Sequence, residues 1–158
     1  MTRRLLLALL LVVATATYAQ KKLPKNKAAI AESIENHKSD LIKISDDIWA
    51  NAEIAFEEYE SSKMLADYAE ANGFTVERGV ADMATAFVAT YGSGKPVIGI
   101  LGEFDALPGI SQKTKPTKEP LEEGAGGHGC GHNMFGTASL GAAIAIKEMM
   151  DASNFSIG

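Results

Sequence analysis

Residues 97–109 read VIGILGEFDALPG, and this stretch decides the fold class. From Val97 to Leu101 the residues are apolar on both faces of an extended chain, which is typical of a central strand that helices cover on both sides. If the extended backbone continues, Glu103 and Asp105 point to the same side, because side chains two residues apart share a face. Open α/β sheets bind ligands where their strands end. The stretch therefore predicts an α/β fold with two acidic side chains at its functional edge, or alternatively a solvated loop that contains two acids.

Two amphipathic helices and a strand are expected before this stretch. From about Ala28 to Ala55, apolar residues recur at spacings of three, four and seven, which indicates one buried face of a helix. A second helix is expected to begin at Ser61 or Ser62, either of which could cap it, and to end at Gly73. The period then changes to two from Phe74, and TAFVATY predicts a strand that forms a hairpin with the central strand through GSGKP.

A long irregular connection and a third helix follow. The connection, residues 103–133, shows no periodicity, and loops of that length are usually functional or disordered. Its last residue, Asn133, could cap the helix predicted for MFGTASLGAAIAIKEMMD, whose small residues would allow close approach to a sheet. The prediction is an α/β fold with two N-terminal helices, a mixed sheet of three or four strands and a small-residue helix packed on it. The closing ASNFSIG would be a loop and the opening of another strand, which begins at FSIG.

The connection contains GAGGHGCGHN at residues 124–133. His128, Cys130 and His132 are spaced by two, so an extended backbone would present all three in one direction, and the glycines would allow tight curvature around a bound ion. Thiolate and imidazole together suit zinc or a similar transition metal. One alternative is a glycine-rich turn with a buried cysteine and two surface histidines. Another is a cysteine nucleophile, Cys130, with His132 as its base, although this spacing rarely suits proton transfer.

The N-terminal segment and the net charge indicate where the protein is located and which partners it can bind. Residues 1–19 combine Arg3 and Arg4 with an apolar run that is shorter than the roughly 20 residues of a membrane span. We expect an exported protein whose signal peptide is cut after Ala19, followed by a basic linker at residues 20–27. Removal of the two arginines would change the formal net charge from −5 to −7. An acidic chain excludes nucleic acid as a partner, and after cleavage no membrane contact is expected.

Three motifs carry a resemblance to a known family. IWANAEIAFEEYESS, GEFDALPG and GHGCGHNMFGTASLGAA are similar to segments in the N-terminal third of metal-dependent amidohydrolases. This metallopeptidase family includes aminoacylases, carboxypeptidases that act on folate-like substrates and hydrolases of indole-acetyl amino acids. The motifs resemble most its aminobenzoyl-glutamate hydrolase B-subunit branch, over about residues 34–150. The resemblance implies that residues 28–158 are the N-terminal part of a metallopeptidase catalytic domain.

The resemblance also implies a role for each site residue. Cys130 and His132 would be ligands of a divalent metal, Zn or Mn, and Asp105 would be the catalytic-site carboxylate that orients a ligand. Glu103 and His128 would support the site. The reaction implied is hydrolysis of the amide bond of an N-acyl amino acid or a dipeptide-like small molecule, with aminobenzoyl-glutamate as one candidate substrate.

The sequence departs from the family pattern in what it lacks. The glutamate pair that supplies the general base in the family, its further metal ligands and its dimerisation domain have no counterpart in these residues. We therefore expect a truncated, inactive chain, aggregation through an open sheet edge, and a homo-oligomer only if a longer chain supplies a dimerisation domain. A non-catalytic binding domain that a metal stabilises is a further hypothesis.

Overall fold

The computed structural model describes residues 23–153. Within this range the chain forms three helices and two strands, together with one 3₁₀ turn at Val80–Asp82. In chain order these are α1 (Lys25–Asn51), α2 (Tyr59–Ala71), β1 (Thr75–Arg78), β2 (Phe87–Thr90) and α3 (His132–Ser153). The predicted signal peptide, the first linker residues and the strand predicted from residue 155 onward lie outside the described residues. Between residues 23 and 153, no helix has the length and apolarity that crossing a membrane requires.

The core forms where α1 and α3 lie against each other. Ile44 and Ile48 of α1 are buried in one cluster with Leu140 and Ile144 of α3, and α2 closes the cluster with Leu65. Small residues permit the close approach, as the sequence pattern predicted. The most extensive packing of α3 is along α1, and Phe87 and Ala89 of β2 pack against the same core cluster.

The start of α2 is stabilised by a residue that precedes the helix. The carboxylate of Glu53 accepts hydrogen bonds from the backbone N–H of Glu60 at 2.9 Å and from that of Ser61 at 2.8 Å. It also accepts the Ser61 hydroxyl at 2.6 Å. The prediction that Ser61 or Ser62 caps the helix is therefore wrong, because both lie inside its first turn. Gly73 follows the helix with φ +84°, as predicted.

The sheet is a two-stranded antiparallel hairpin. β1 pairs with β2 in the register Thr75 with Thr90 and Arg78 with Phe87. The change to period two was therefore a correct signal of strands, and the chain belongs to the α/β class. The predicted hairpin partner was wrong, because β2 pairs with the strand before it in the chain and not with residues 97–102.

Residues 97–102 do not form the predicted central strand. In the described part of the chain they belong to no ladder, and Val97 and Leu101 are 74% and 72% exposed. Between this stretch, β2 and α3 lies an apolar cavity of about 470 Å³. An apolar pattern indicates a tendency to be buried but does not specify which strand lies alongside. Within residues 23–153 two of the predicted strands form and the central one does not, and the last predicted strand lies outside these residues.

Candidate active site

His132, the first residue of α3, lies between two carboxylates. Its Nδ1 is 2.8 Å from Oδ1 of Asp105, and its Nε2 is 3.1 Å from Oε2 of Glu103. The side chains of His132 and Asp105 are 16% and 25% exposed, whereas that of Glu103 is 49% exposed. The Asp105 side of the imidazole is therefore enclosed, and the Glu103 side opens to solvent. The two acids contact the same imidazole, whereas their spacing predicted only that they point to the same side.

A glycine one turn into α3 allows this contact. A Cβ atom at Gly136 would lie 2.9 Å from the carbonyl oxygen of Glu103 and 3.1 Å from Cβ of Phe104. The absence of a side chain lets the start of the helix touch the backbone that carries both acids. That backbone is also fixed from its other side, because Ala106 N–H donates to the carbonyl of Glu53 at 2.7 Å. Contacts of the backbone thus hold His132 and Asp105 where their side chains can pair.

The glycine-rich segment before α3 is a turn and not an extended strand. Leu107 and Gly127 exchange two backbone hydrogen bonds of 3.0 Å. After them, Gly131 N–H donates to the carbonyl of His128 at 3.2 Å, and Gly131 adopts φ +80°. The prediction that three alternating side chains share one direction is therefore wrong. Glycines allow close approach, but here they also allow the chain to reverse.

The three predicted donors consequently have different surroundings. Cys130 is exposed in the turn, which rules out the alternative of a buried cysteine. His128 is half-buried, and its Nε2–H donates to the carbonyl of Ile48 in α1 at 3.0 Å. Its Nδ1 is buried and has no hydrogen-bond partner among the residues that the structure describes. Burial lowers the pKa of His128 below its usual value, and the bond to Ile48 opposes this shift only in part.

The donor chemistry suits part of a metal-binding site. A His132 ring that donates Nδ1–H to Asp105 keeps the lone pair of Nε2 for a metal, which is the usual carboxylate–histidine arrangement. Cys130, two residues earlier in the sequence, offers a sulfur donor, and Glu103 offers an oxygen beside Nε2. Between residues 23 and 153, however, no three such side chains are grouped so that they could hold an ion. The donor atoms are therefore of types that bind a metal, but they supply only a partial ligand set.

Helix α1 contributes more to the site than its sequence indicated. Besides the carbonyl of Ile48, it supplies the carbonyl and hydroxyl oxygens of Ser45, which accept Nδ2–H of Asn133 at 3.3 and 3.2 Å. Asn133 therefore ties α3 to α1 and does not act as the predicted cap. Two of these acceptors are backbone carbonyls, which have no residue-type signature. Only the helical period of α1 could have indicated that it lies near the site.

Comparisons with known proteins give one consistent family. The chain is 46% identical over 125 residues to the p-aminobenzoyl-glutamate hydrolase B-subunit of Escherichia coli (strain K12), a match that covers 77% of the chain and 26% of that protein. It is 30% identical over 128 residues to IAA-amino acid hydrolase ILR1-like 5 of Arabidopsis thaliana, covering 80% and 28%. The identity to Xaa-Arg dipeptidase of Homo sapiens is 27% over 138 residues, covering 79% and 28%. No family model matches the chain.

The matches confirm the resemblance that the motifs indicated and also define its extent. The chain spans about a quarter of the length of these relatives. All three are named as hydrolases or peptidases, so the resemblance is to enzymes. Over most of its own length, the chain is therefore related to the amidohydrolase and peptidase family that includes these proteins.

Proposed function

We propose that this chain contributes to a metal-dependent hydrolase that cleaves the amide bond of an N-acyl amino acid or a dipeptide-like molecule. The single observation that carries the proposal is the 2.8 Å contact between Asp105 and Nδ1 of His132, the residue that would present Nε2 to the metal. The named activities of the relatives support the reaction class, since each acts on an amino-acid conjugate or a dipeptide by its name. The substrate proposed first is aminobenzoyl-glutamate, because the relative with the highest identity quoted above is named for it.

In this proposal Cys130 and His132 hold a divalent ion, Zn or Mn, and the thiolate favours zinc. The bound ion would supply a polarised amide carbonyl and a water of lowered pKa. Asp105 accepts Nδ1–H of His132 and so fixes the tautomer and the orientation of the ring. Glu103 faces Nε2 from the solvent side and is placed to contact the ion or a substrate group beside it.

Two protein ligands are fewer than the three that catalytic zinc sites use. We therefore propose that the 158-residue chain alone does not turn over substrate and that activity belongs to an assembly or a longer protein that completes the ligand set. The predicted export to the periplasm or the cell exterior remains part of the same proposal.

A cysteine hydrolase is the alternative from another chemical class. It would require His132 to accept a proton from the Cys130 thiol. Asp105 on Nδ1 suits either reaction, but Nε2, the nitrogen that would take the thiol proton, faces Glu103 instead, which supports the metal-dependent reaction.

The test is hydrolysis of a panel of N-acyl amino acids, including aminobenzoyl-glutamate, by a form of the protein with a complete ligand set. We expect chelation to abolish turnover, added Zn or Mn to restore it, and substitution of Asp105 to weaken metal retention. Activity that survives chelation but is lost on thiol alkylation would instead support the cysteine hydrolase. A raised melting temperature with metal, but no turnover of any substrate, would support a non-catalytic metal-stabilised domain.

A further inference from the structure

We infer that His128 is a positioning residue for the candidate metal donors, an inference that rests on the proposed function. No role beyond support followed from the sequence. The structure gives this residue two connections. Its side chain makes a hydrogen bond to α1, and its backbone begins the turn that leads to His132.

The side-chain connection is directed at the end of a helix. Nε2–H of His128 donates to the carbonyl of Ile48 at 3.0 Å. This carbonyl also accepts the N–H of Ala52 at 3.1 Å, which closes the last turn of α1. Ile48 is fully buried, so the imidazole is hydrogen-bonded to a residue of the core.

The backbone connection carries the donors. The carbonyl of His128 accepts the N–H of Gly131 at 3.2 Å, so residues 128–131 form a closed turn that contains Cys130. The turn ends directly before His132, where α3 begins. A displacement of His128 would therefore shift the thiol of Cys130 relative to the imidazole of His132.

Attachment of the loop does not by itself require a histidine here. Leu107 and Gly127 already join the loop to the neighbouring segment by two hydrogen bonds. In addition, the buried Nδ1 of His128 has no partner among residues 23–153, and an unpaired buried acceptor is unfavourable for stability. We therefore attribute the presence of a histidine here, with only one of its two ring nitrogens hydrogen-bonded, to its placement of the turn.

The experiment compares metal binding by folded variants of the full chain. Zn²⁺ affinity is measured by competition with a chromophoric chelator, and folding is checked by circular dichroism. Glutamine can place an amide N–H near the position of Nε2, whereas leucine cannot donate. We expect His128→Gln to bind within about threefold of the unsubstituted chain and His128→Leu to bind about 10- to 100-fold more weakly, the range found when a group that orients ligands is removed.

A matched control comes from the histidine that lies away from the site. His37 also makes side-chain hydrogen bonds, to Tyr68 at 2.8 Å and to Glu148 at 2.9 Å. His37→Leu should lower the melting temperature and leave Zn²⁺ affinity unchanged. A general loss of stability is thereby separated from misplacement of the donors.

When His128→Leu folds, either of two results overturns the inference. If His128→Leu binds Zn²⁺ as tightly as the unsubstituted chain while Cys130→Ala and His132→Ala bind weakly, His128 is only an anchor of the loop and the proposed function stands. If Cys130→Ala and His132→Ala also bind normally, the proposed function fails and the inference fails with it. Should His128→Leu not fold, His128→Asn replaces it, because the shorter amide does not reach Ile48. Equal affinities of the Asn and Gln variants would then overturn the inference.

Discussion

Replacement of Gly136 by alanine should separate the start of α3 from the backbone of Glu103. The new Cβ would lie 2.9 Å from the Glu103 carbonyl oxygen and 3.4 Å from Cδ1 of Leu65. Alanine is favoured over glycine inside a helix by about 1 kcal/mol, but overpacking against fixed atoms costs about 1–3 kcal/mol. We expect a net loss of about 1 kcal/mol in the free energy of unfolding, measured by urea denaturation, together with weaker Zn²⁺ binding as His132 moves away from its carboxylates.

Gly141 provides the matched control in the same helix. A Cβ there would also approach an atom at 2.9 Å, but this atom is Cδ1 of Leu41, the end of a flexible side chain. Leu41 can move by a rotamer adjustment, so Gly141→Ala should be neutral or should stabilise the protein by up to about 1 kcal/mol. Equal stabilities and equal Zn²⁺ affinities for the two variants would refute the argument that the Gly136 contact with the backbone positions the site.

Three further predictions concern stability and solubility. Glu53→Ala removes the acceptor of three donors at the start of α2 and should cost about 1–2 kcal/mol in urea denaturation; no measurable loss would contradict the capping role. The pKa of Glu148 is lowered by the nearby Ser33 hydroxyl and by the His37 imidazole, whose Nε2 lies 2.9 Å from the carboxylate, so the stabilising contribution of this carboxylate is present above the ordinary pKa near 4.5 and is lost as the pH falls through the lowered pKa. Glu148→Gln should therefore destabilise the protein at pH 6 and have little effect at pH 3; an equal effect at both would contradict this. Val97→Lys with Leu101→Lys, at sites 74% and 72% exposed, should reduce aggregation in light scattering without lowering the free energy of unfolding; a clear loss of stability would show that the stretch is buried.

The helices and the pairing of the two acids were predictable because each depends on local spacing. The period of α1 and the small residues of α3 identified both helices, and the i, i+2 spacing of Glu103 and Asp105 indicated a common side, which agrees with their contacts to one imidazole. The course of the glycine-rich loop was not predictable, because glycine permits an extended chain and a turn equally well. The partner of β2 was not predictable either, since strand pairing is a long-range choice.

The hydrogen bonds that hold the site against α1 were not predictable either, because they also join distant parts of the chain. His128 and Asn133 were noticed in the sequence, but their partners are main-chain or hydroxyl oxygens of α1, more than 70 residues away in the chain. Any residue type can present a backbone carbonyl, so these contacts become evident only in three dimensions. The cap on α2 was missed because Glu53 reaches it from seven residues upstream.

The most direct test of the central claim is the absorption spectrum of the full chain titrated with Co²⁺ in place of Zn²⁺. A cobalt–thiolate bond gives an intense charge-transfer band, which reports coordination independently of catalysis. The account predicts that this band appears on titration, disappears in Cys130→Ser, weakens in His132→Ala and persists in His37→Leu. A chain that binds Co²⁺ with no thiolate band, or whose band is unaffected by replacement of Cys130, would contradict the claim that Cys130 and His132 hold the metal.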